Sequence, residues 1–120
     1  MKGRSVNAEE KRFHDMLASH IGCIACSKDG IFTSWVSIHH IDGRVKKNAH
    51  WWVLPLCGPH HQDAGIPGVI AVHPWKARFE KKYGFQLSLV AECIQILLDR
   101  GCAVPHAALV ANGMAEEVAA

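Results

Sequence analysis

Two short ligand pairs, Cys23-Ile24-Ala25-Cys26 and Cys57-Gly58-Pro59-His60, most constrain how this chain can fold. Two-residue spacing lets both side chains of a knuckle face one ion, so the pairs together make a tetrahedral Cys₃His set. Thiolate and imidazole suit Zn²⁺, a borderline-soft cation with no geometric demand of its own. Four protein ligands leave no open position, which makes the expected role structural. The 30 residues between the pairs must leave the ion and come back to it. Reading the four as unrelated residues requires both spacings to arise by chance.

The odd count of five cysteines argues against a disulfide framework and for thiols kept reduced as metal ligands. Cys93 and Cys102 read as a buried helix residue and a loop residue, with no chemistry assigned. Met1 to Glu10 is polar and charged, without the apolar stretch of a signal peptide. Apolar runs fall far short of the roughly 18 residues a membrane span needs. The expectation is a soluble, cytoplasmic protein with no membrane partner. At 120 residues a second core would be marginal, and 49% hydrophobic with 20% charged residues excludes a disordered chain.

Local signals predict an α+β domain over 8–101, preceded by a short basic arm (1–7) and followed by an Ala-rich tail (102–120), either loosely helical or mobile. Asn7 with Glu10 three residues on is a capping box for a helix over 8–20, which Gly22 stops. Alternation predicts strands over 35–41 and 51–54, the second ended by Pro55, with a loop at 42–49. Short helices are expected over 58–63 and, opened by Pro74, over 74–82. The spacing of Leu87, Val90, Ala91, Ile94, Leu97 and Leu98 marks an amphipathic helix over 86–100.

Six of the nine histidines lie between His39 and His73. Adjacent strand residues point to opposite faces, so His39 and His40 need different jobs: one can hold an ion while the other faces substrate. If the helix carrying His60 and His61 packs on the hairpin, His61 approaches His39. That makes a second, incomplete metal site with room for water or phosphate. Each histidine alone reads equally as a hydrogen-bonded core residue.

Charge is uneven. Residues 23–82 carry eight Lys/Arg against four Asp/Glu, whereas 83–120 carry one Arg against four acids. Arg44, Lys46, Lys47, Lys76 and Arg78, interleaved with Trp35, Trp51, Trp52 and Trp75, fit a polyanion-binding face. The plainer alternative is a solvated surface beside core tryptophans.

The pattern Cys-x₂-Cys, then Ile38-His39-His40-Ile41, then Pro55-Leu56-Cys57-x₂-His60-His61 resembles the zinc-containing HNH endonucleases of ββα-metal fold. The stretches His50 to Cys57, Ile70 to His73, Phe79-Glu80 and Tyr83-Gly84 further resemble the phage recombination-enhancement, RecA-dependent nucleases (the Ref group). The resemblance implies a small zinc-stabilised ββα-metal core with flanking helices and a phage-derived DNA endonuclease working in recombination with a RecA filament in a bacterial host. It implies His40 as the general base activating water, a catalytic ion on His39 and His61, and products with 5′-phosphate and 3′-hydroxyl ends. Two protein ligands leave the remaining positions to water and phosphate, which suits Mg²⁺ or Mn²⁺. His60 stands where many relatives carry a second cysteine. The middle asparagine has no direct counterpart, its slot being Trp52, with Asn48 and His50 as loop-fixing candidates nearby. His73 either joins the catalytic ion or caps the helix that Pro74 opens. A non-catalytic zinc-binding DNA-binding module is the alternative, with a zinc-stabilised protein-interaction domain behind it. His39, His40 and His61 count against the first, which does not need them, and the second leaves the basic half idle.

Overall fold

Helix α1 (Ala8–Met16) begins at the capping box: Asn7 Oδ1 accepts from the Glu10 amide at 2.8 Å, and Glu10 Oε1 accepts from the Asn7 amide at 2.9 Å. The computed structural model describes residues 3–117. Met1 and Lys2 of the basic arm and the last three residues of the tail lie outside them. Beyond α1 the chain continues as a π-helical turn, Leu17–Ile21, and stops at Gly22. Gly22 has a φ of 67°, and a Cβ there would run into the Thr33 carbonyl, so the stop is both conformational and steric. Phe13, Leu17 and Ile21 share one face and are buried.

The first ligand pair opens α2 (Ile24–Lys28), where Cys23 Sγ accepts from the Cys26 amide at 3.4 Å as an N-cap. Strands β1 (Ser37–His40) and β2 (Val53–Leu56) form an antiparallel ribbon that pairs Ser37 with Leu56, Ile38 with Pro55, His39 with Leu54 and His40 with Val53. Both are displaced from expectation. Trp35 lies outside β1, 89% exposed, and β2 starts two residues later than expected and runs through Pro55. The Ile41 amide donates to the Trp52 carbonyl. By alternation Ile38–Pro55 is then a non-hydrogen-bonded pair, so the proline's missing N–H faces away from the partner and costs the ribbon nothing.

Directly after β2 comes α3 (Gly58–His61), completing a ββα unit. The chain then loops out and returns. Val72 donates to the His60 carbonyl, His73 to that of His61, and Asp63 to that of His73, all within 2.9–3.1 Å. Helix α4 (Lys76–Tyr83) starts two residues beyond Pro74. Its N-cap is Trp75 and it has no side-chain cap, so His73 does not cap it. Helix α5 (Gln86–Asp99) agrees with its predicted span and buries Leu89, Val90, Cys93, Ile94 and Leu97 against β2 and the π-helical turn.

The Ala-rich tail carries helix α6 (His106–Ala111), which is docked. Trp52 Nε1 donates to the Ala111 carbonyl at 3.0 Å, and Asn112 Nδ2 to the Trp51 carbonyl at 3.1 Å. Trp51 in turn meets Phe13, with ring centroids 5.7 Å apart. No helix among the described residues is long and apolar enough to cross a membrane.

Candidate metal centres and active site

Cys23 and Cys26, at the start of α2, converge on Cys57 and His60, at the start of α3. His60 Nδ1 lies 3.5 Å from Cys23 Sγ, 3.4 Å from Cys26 Sγ and 3.1 Å from Cys57 Sγ, and the Cys26 and Cys57 sulfurs are 3.7 Å apart. A zinc tetrahedron with bonds of about 2.0–2.3 Å has edges of roughly 3.5–3.8 Å, so the donor set fits that ion. All four residues are buried. Burial pushes the Cys23 thiol up to about 12 and Cys57 upward as well, so these thiols ionise at neutral pH only with a cation beside them. The outer nitrogen of His60 is held too: Nε2 donates to Tyr83 Oη at 3.1 Å, and that hydroxyl donates to Asp29 Oδ2 at 3.0 Å. This relay fixes the tautomer that turns the Nδ1 lone pair toward the sulfurs.

A second cluster brings His39, His61 and His73 together, with one ring nitrogen from each within 4.8 Å of the others. β1 supplies His39 and α3 supplies His61. His73 arrives through the backbone ladder to His61 and Asp63. Hydrogen bonds orient two of the rings. His39 Nε2 donates to Gln86 Oε1 at 2.7 Å, Gln86 being the buried first residue of α5, and Gln86 Nε2 donates to Glu80 Oε2 at 3.3 Å. Ser37 Oγ is 3.2 Å from His61 Nδ1. His39 Nδ1 and His61 Nε2 remain for a ligand. Burial, opposed by the Gln86 hydrogen bond, lowers His39 to about 4, and burial lowers His61 as well. Both rings are therefore neutral lone-pair donors at pH 7, as metal ligation requires.

On its other side β1 presents His40 to a separate group of histidines. His50 Nε2 lies 2.7 Å from the Arg4 carbonyl, which only accepts, so that nitrogen carries the proton. His50 Nδ1 is then an acceptor, and His40 Nε2, 2.9 Å away, donates to it. The lone pair of His40 is thereby placed on Nδ1, the one buried side-chain polar atom among the described residues without a partner. His14 supports the arrangement from α1, its Nε2 donating to the His50 carbonyl at 2.8 Å. Burial, with Arg44 adding to it, lowers His40 to about 4 and keeps it neutral. His39, His40, His61 and His73 all border one open cleft of about 430 Å³, with Arg44 on its rim.

Residues 6–98 match the family described as recombination enhancement, RecA-dependent nuclease. The chain belongs to this family. It is accordingly an enzyme acting on nucleic acid, in a setting that involves DNA and RecA. The matched span contains all of both clusters together with His14, His40 and His50.

Several residues singled out from sequence fall elsewhere. Asn48 enters only through its backbone carbonyl, which accepts from the Trp51 and Trp52 amides, whereas His50 is the neighbour whose ring meets His40. Lys46 is paired with Asp42 on the surface. Lys47, Lys76 and Arg78 are exposed. Gln86, Tyr83, Asp29, Ser37 and His14 complete the sites without being marked in the sequence. Each is brought in by tertiary contact with no local signal: Gln86 stands among Ser88, Glu92, Gln95 and Asp99 as one of several polar residues of α5, and only its burial sets it apart.

Proposed function

We propose that the chain is a metal-dependent DNA endonuclease of the HNH type, hydrolysing a phosphodiester in the cleft between β1, α3 and the His73 segment. What carries this reading is His40 Nδ1, buried, unpartnered, and supplied with its lone pair by the His50–Arg4 relay, at the edge of the His39–His61–His73 cluster. A water beside His40 Nδ1 can lose its proton to that atom as it attacks phosphorus. The imidazolium formed stays hydrogen-bonded to His50, and the negative charge of the substrate phosphate raises the proton affinity that burial lowers. Arg44, on the same rim, neutralises phosphate oxygens and orients the backbone. When bound, a divalent ion on His39, His61 and His73 supplies charge neutralisation at the phosphate and the leaving 3′ oxygen. Within the pair Mg²⁺ or Mn²⁺, three imidazoles favour Mn²⁺.

Cys23, Cys26, Cys57 and His60 keep the structural role: they tie α2 to α3 and so hold His61 against β1. Arg44, Lys47 and Lys76 form the backbone-contacting surface, with Lys46 beside them already paired with Asp42 and Arg78 lying over the Trp75 ring. Such contacts position DNA and carry little sequence information. The setting is the bacterial cytoplasm, where a RecA filament assembles, and a phage source agrees with the family resemblance.

The test is cleavage of single-stranded and duplex DNA in Mg²⁺ or Mn²⁺, with and without a RecA filament, with His40→Ala in parallel. Cleavage by the wild type, lost in His40→Ala at unchanged zinc content, supports the reading. A folded, zinc-loaded wild type that binds DNA and cuts nothing in any arm would favour a binding module instead.

A further inference from the structure

A second concavity is lined by residues that flank the cleft residue His73 in sequence. It encloses about 460 Å³, within the range of small-molecule pockets, and Asp63, the loop 65–70, Trp75, Arg78 and Lys82 line it. Trp75 is 43% exposed although it belongs to no apolar cluster. Its ring is nevertheless held. Nε1 donates to Asp63 Oδ2 at 3.2 Å, and the Arg78 guanidinium lies over the ring, 5.4 Å from its centroid. Asp63 is itself braced, since its Oδ1 accepts from the Gly65 amide at 2.9 Å. Lys82 Nζ donates to the Gly68 carbonyl, which ties the loop to α4.

We infer that this pocket holds an unpaired nucleobase of the DNA substrate, stacked on Trp75 and Arg78. The inference rests on the reading of the chain as a DNA nuclease and specifies the strand state it engages. An indole and a guanidinium plane, both pre-oriented, are the two stacking platforms that single-strand binders use. Lys76 and Lys81, exposed on the same helix, supply positive charge for the flanking phosphates, while Lys82 is engaged by Asp29 and the Gly68 carbonyl. A base in a duplex has both faces covered by its neighbours, so only an unpaired base can enter. Pocket and cleft also share one strip of backbone: Asp63 donates to the His73 carbonyl, and Trp75 follows His73 by two residues. A base seated here therefore belongs to the nucleotides next to the phosphate in the cleft.

The experiment is fluorescence anisotropy of labelled oligonucleotides with the full chain and no added divalent ion, so that nothing is cleaved. A single strand, the same strand with one abasic position, and a blunt duplex are compared for wild type, Trp75→Phe, Trp75→Ala and Arg78→Ala. Stacking of one base predicts that Trp75→Ala binds the single strand about ten-fold more weakly, while duplex binding changes less than about two-fold. Trp75→Phe retains most of the affinity, and the abasic position weakens wild type but adds nothing in Trp75→Ala. Equal losses on single strand and duplex, or no loss, overturn the inference. If Trp75→Ala loses zinc or helical signal, the abasic comparison in wild type and Trp75→Phe decides. In a parallel assay with Mg²⁺ or Mn²⁺, no cleavage by wild type with the single-strand preference intact would sink the nuclease reading and leave the pocket standing; cleavage with equal losses on single strand and duplex does the reverse.

Discussion

His40 Nε2 lies 2.9 Å from His50 Nδ1, and this contact decides which nitrogen of His40 is available to react. A histidine general base can be lost either by removing the ring or by letting it take the wrong tautomer. His50→Ala leaves the ring of His40 in place but frees both its nitrogens to exchange the proton. The expected result is a 10- to 100-fold fall in kcat, the usual cost of losing an orienting partner, with KM and zinc content little changed. His50→Gln, whose side-chain carbonyl can accept from His40, recovers part of the loss. Steady-state cleavage of one oligonucleotide by the three proteins checks this, and equal rates would remove His50 from the mechanism.

The acceptor for His50 comes from the N-terminal arm. Arg4 is held there by its amide on the Arg44 carbonyl at 2.8 Å and by its Nε on the Val45 carbonyl at 2.7 Å. Gly3 approaches Arg44 so closely that a Cβ would collide with its side chain and carbonyl. Gly3→Val is therefore expected to dislodge the arm and lower kcat about ten-fold, with melting temperature nearly unchanged, because the arm buries little apolar surface. A thermal melt beside a cleavage time course separates the two effects.

Removing one ligand of the Cys₃His set has a different signature. Cys57→Ala is expected to lose the bound zinc and the cooperative melt together, since metal binding and folding are one equilibrium in sites of this kind. Tyr83→Phe is subtler. It deletes the hydroxyl that both holds His60 Nε2 and reaches Asp29, and it should weaken zinc 10- to 100-fold in a chelator competition while the fold survives. Unchanged zinc affinity in Tyr83→Phe would show that the relay is ornamental.

The parts of this site readable from sequence are those set by local spacing. The Cys-x₂-Cys and Cys-x₂-His pairs are knuckles whose geometry is complete within four residues, and the separation of His39 from His40 follows from strand alternation alone. From sequence His73 is ambiguous because its place depends on a backbone ladder to His61 and Asp63 closed by a glycine-containing loop, and spacing carries no trace of that pairing. His50 and Asn48 were equivalent in sequence, and only the turn that buries His50 while directing its ring at His40 tells them apart. Pro55 reads as a strand terminator, whereas a two-stranded ribbon offers a proline outward-facing positions without penalty. The docking of the tail on Trp51 and Trp52 had no local signal, since Ala-rich segments pack wherever a partner surface exists.

If the basic residues grip DNA through its backbone, the affinity must fall steeply with salt. Each phosphate contact removed should lower the slope of log K against log salt by about one for duplex DNA. Arg44→Ala is expected to show that loss together with slower cleavage, because it borders the cleft. Lys46→Ala should change little, since its charge is already engaged by Asp42. A salt titration of binding for both variants tests the distinction, and identical slopes would refute it.

The buried His14 gives the stability of the fold a definite pH dependence. Its Nε2 donates to the His50 carbonyl, and around it stand His50 and His40 on one side with Glu10 and Asp15 on its own helix. Burial lowers its pKa below the ordinary 6.5, outweighing the help of that hydrogen bond and of the two acids. The native state therefore holds His14 neutral in a range where the unfolded chain already binds a proton. Unfolding takes up protons there, so stability falls as pH drops from about 6.5 toward the lowered native value and is level above it. His14→Phe removes this titration while keeping the ring packed beside the His40–His50 pair. Melting temperatures from pH 8 to pH 5 should then decline less in His14→Phe than in wild type, the curves diverging only below about pH 6.5. Zinc loss at acid pH affects both proteins alike and cancels in the comparison, so parallel curves would mean that His14 titrates in the native state as it does in the unfolded chain.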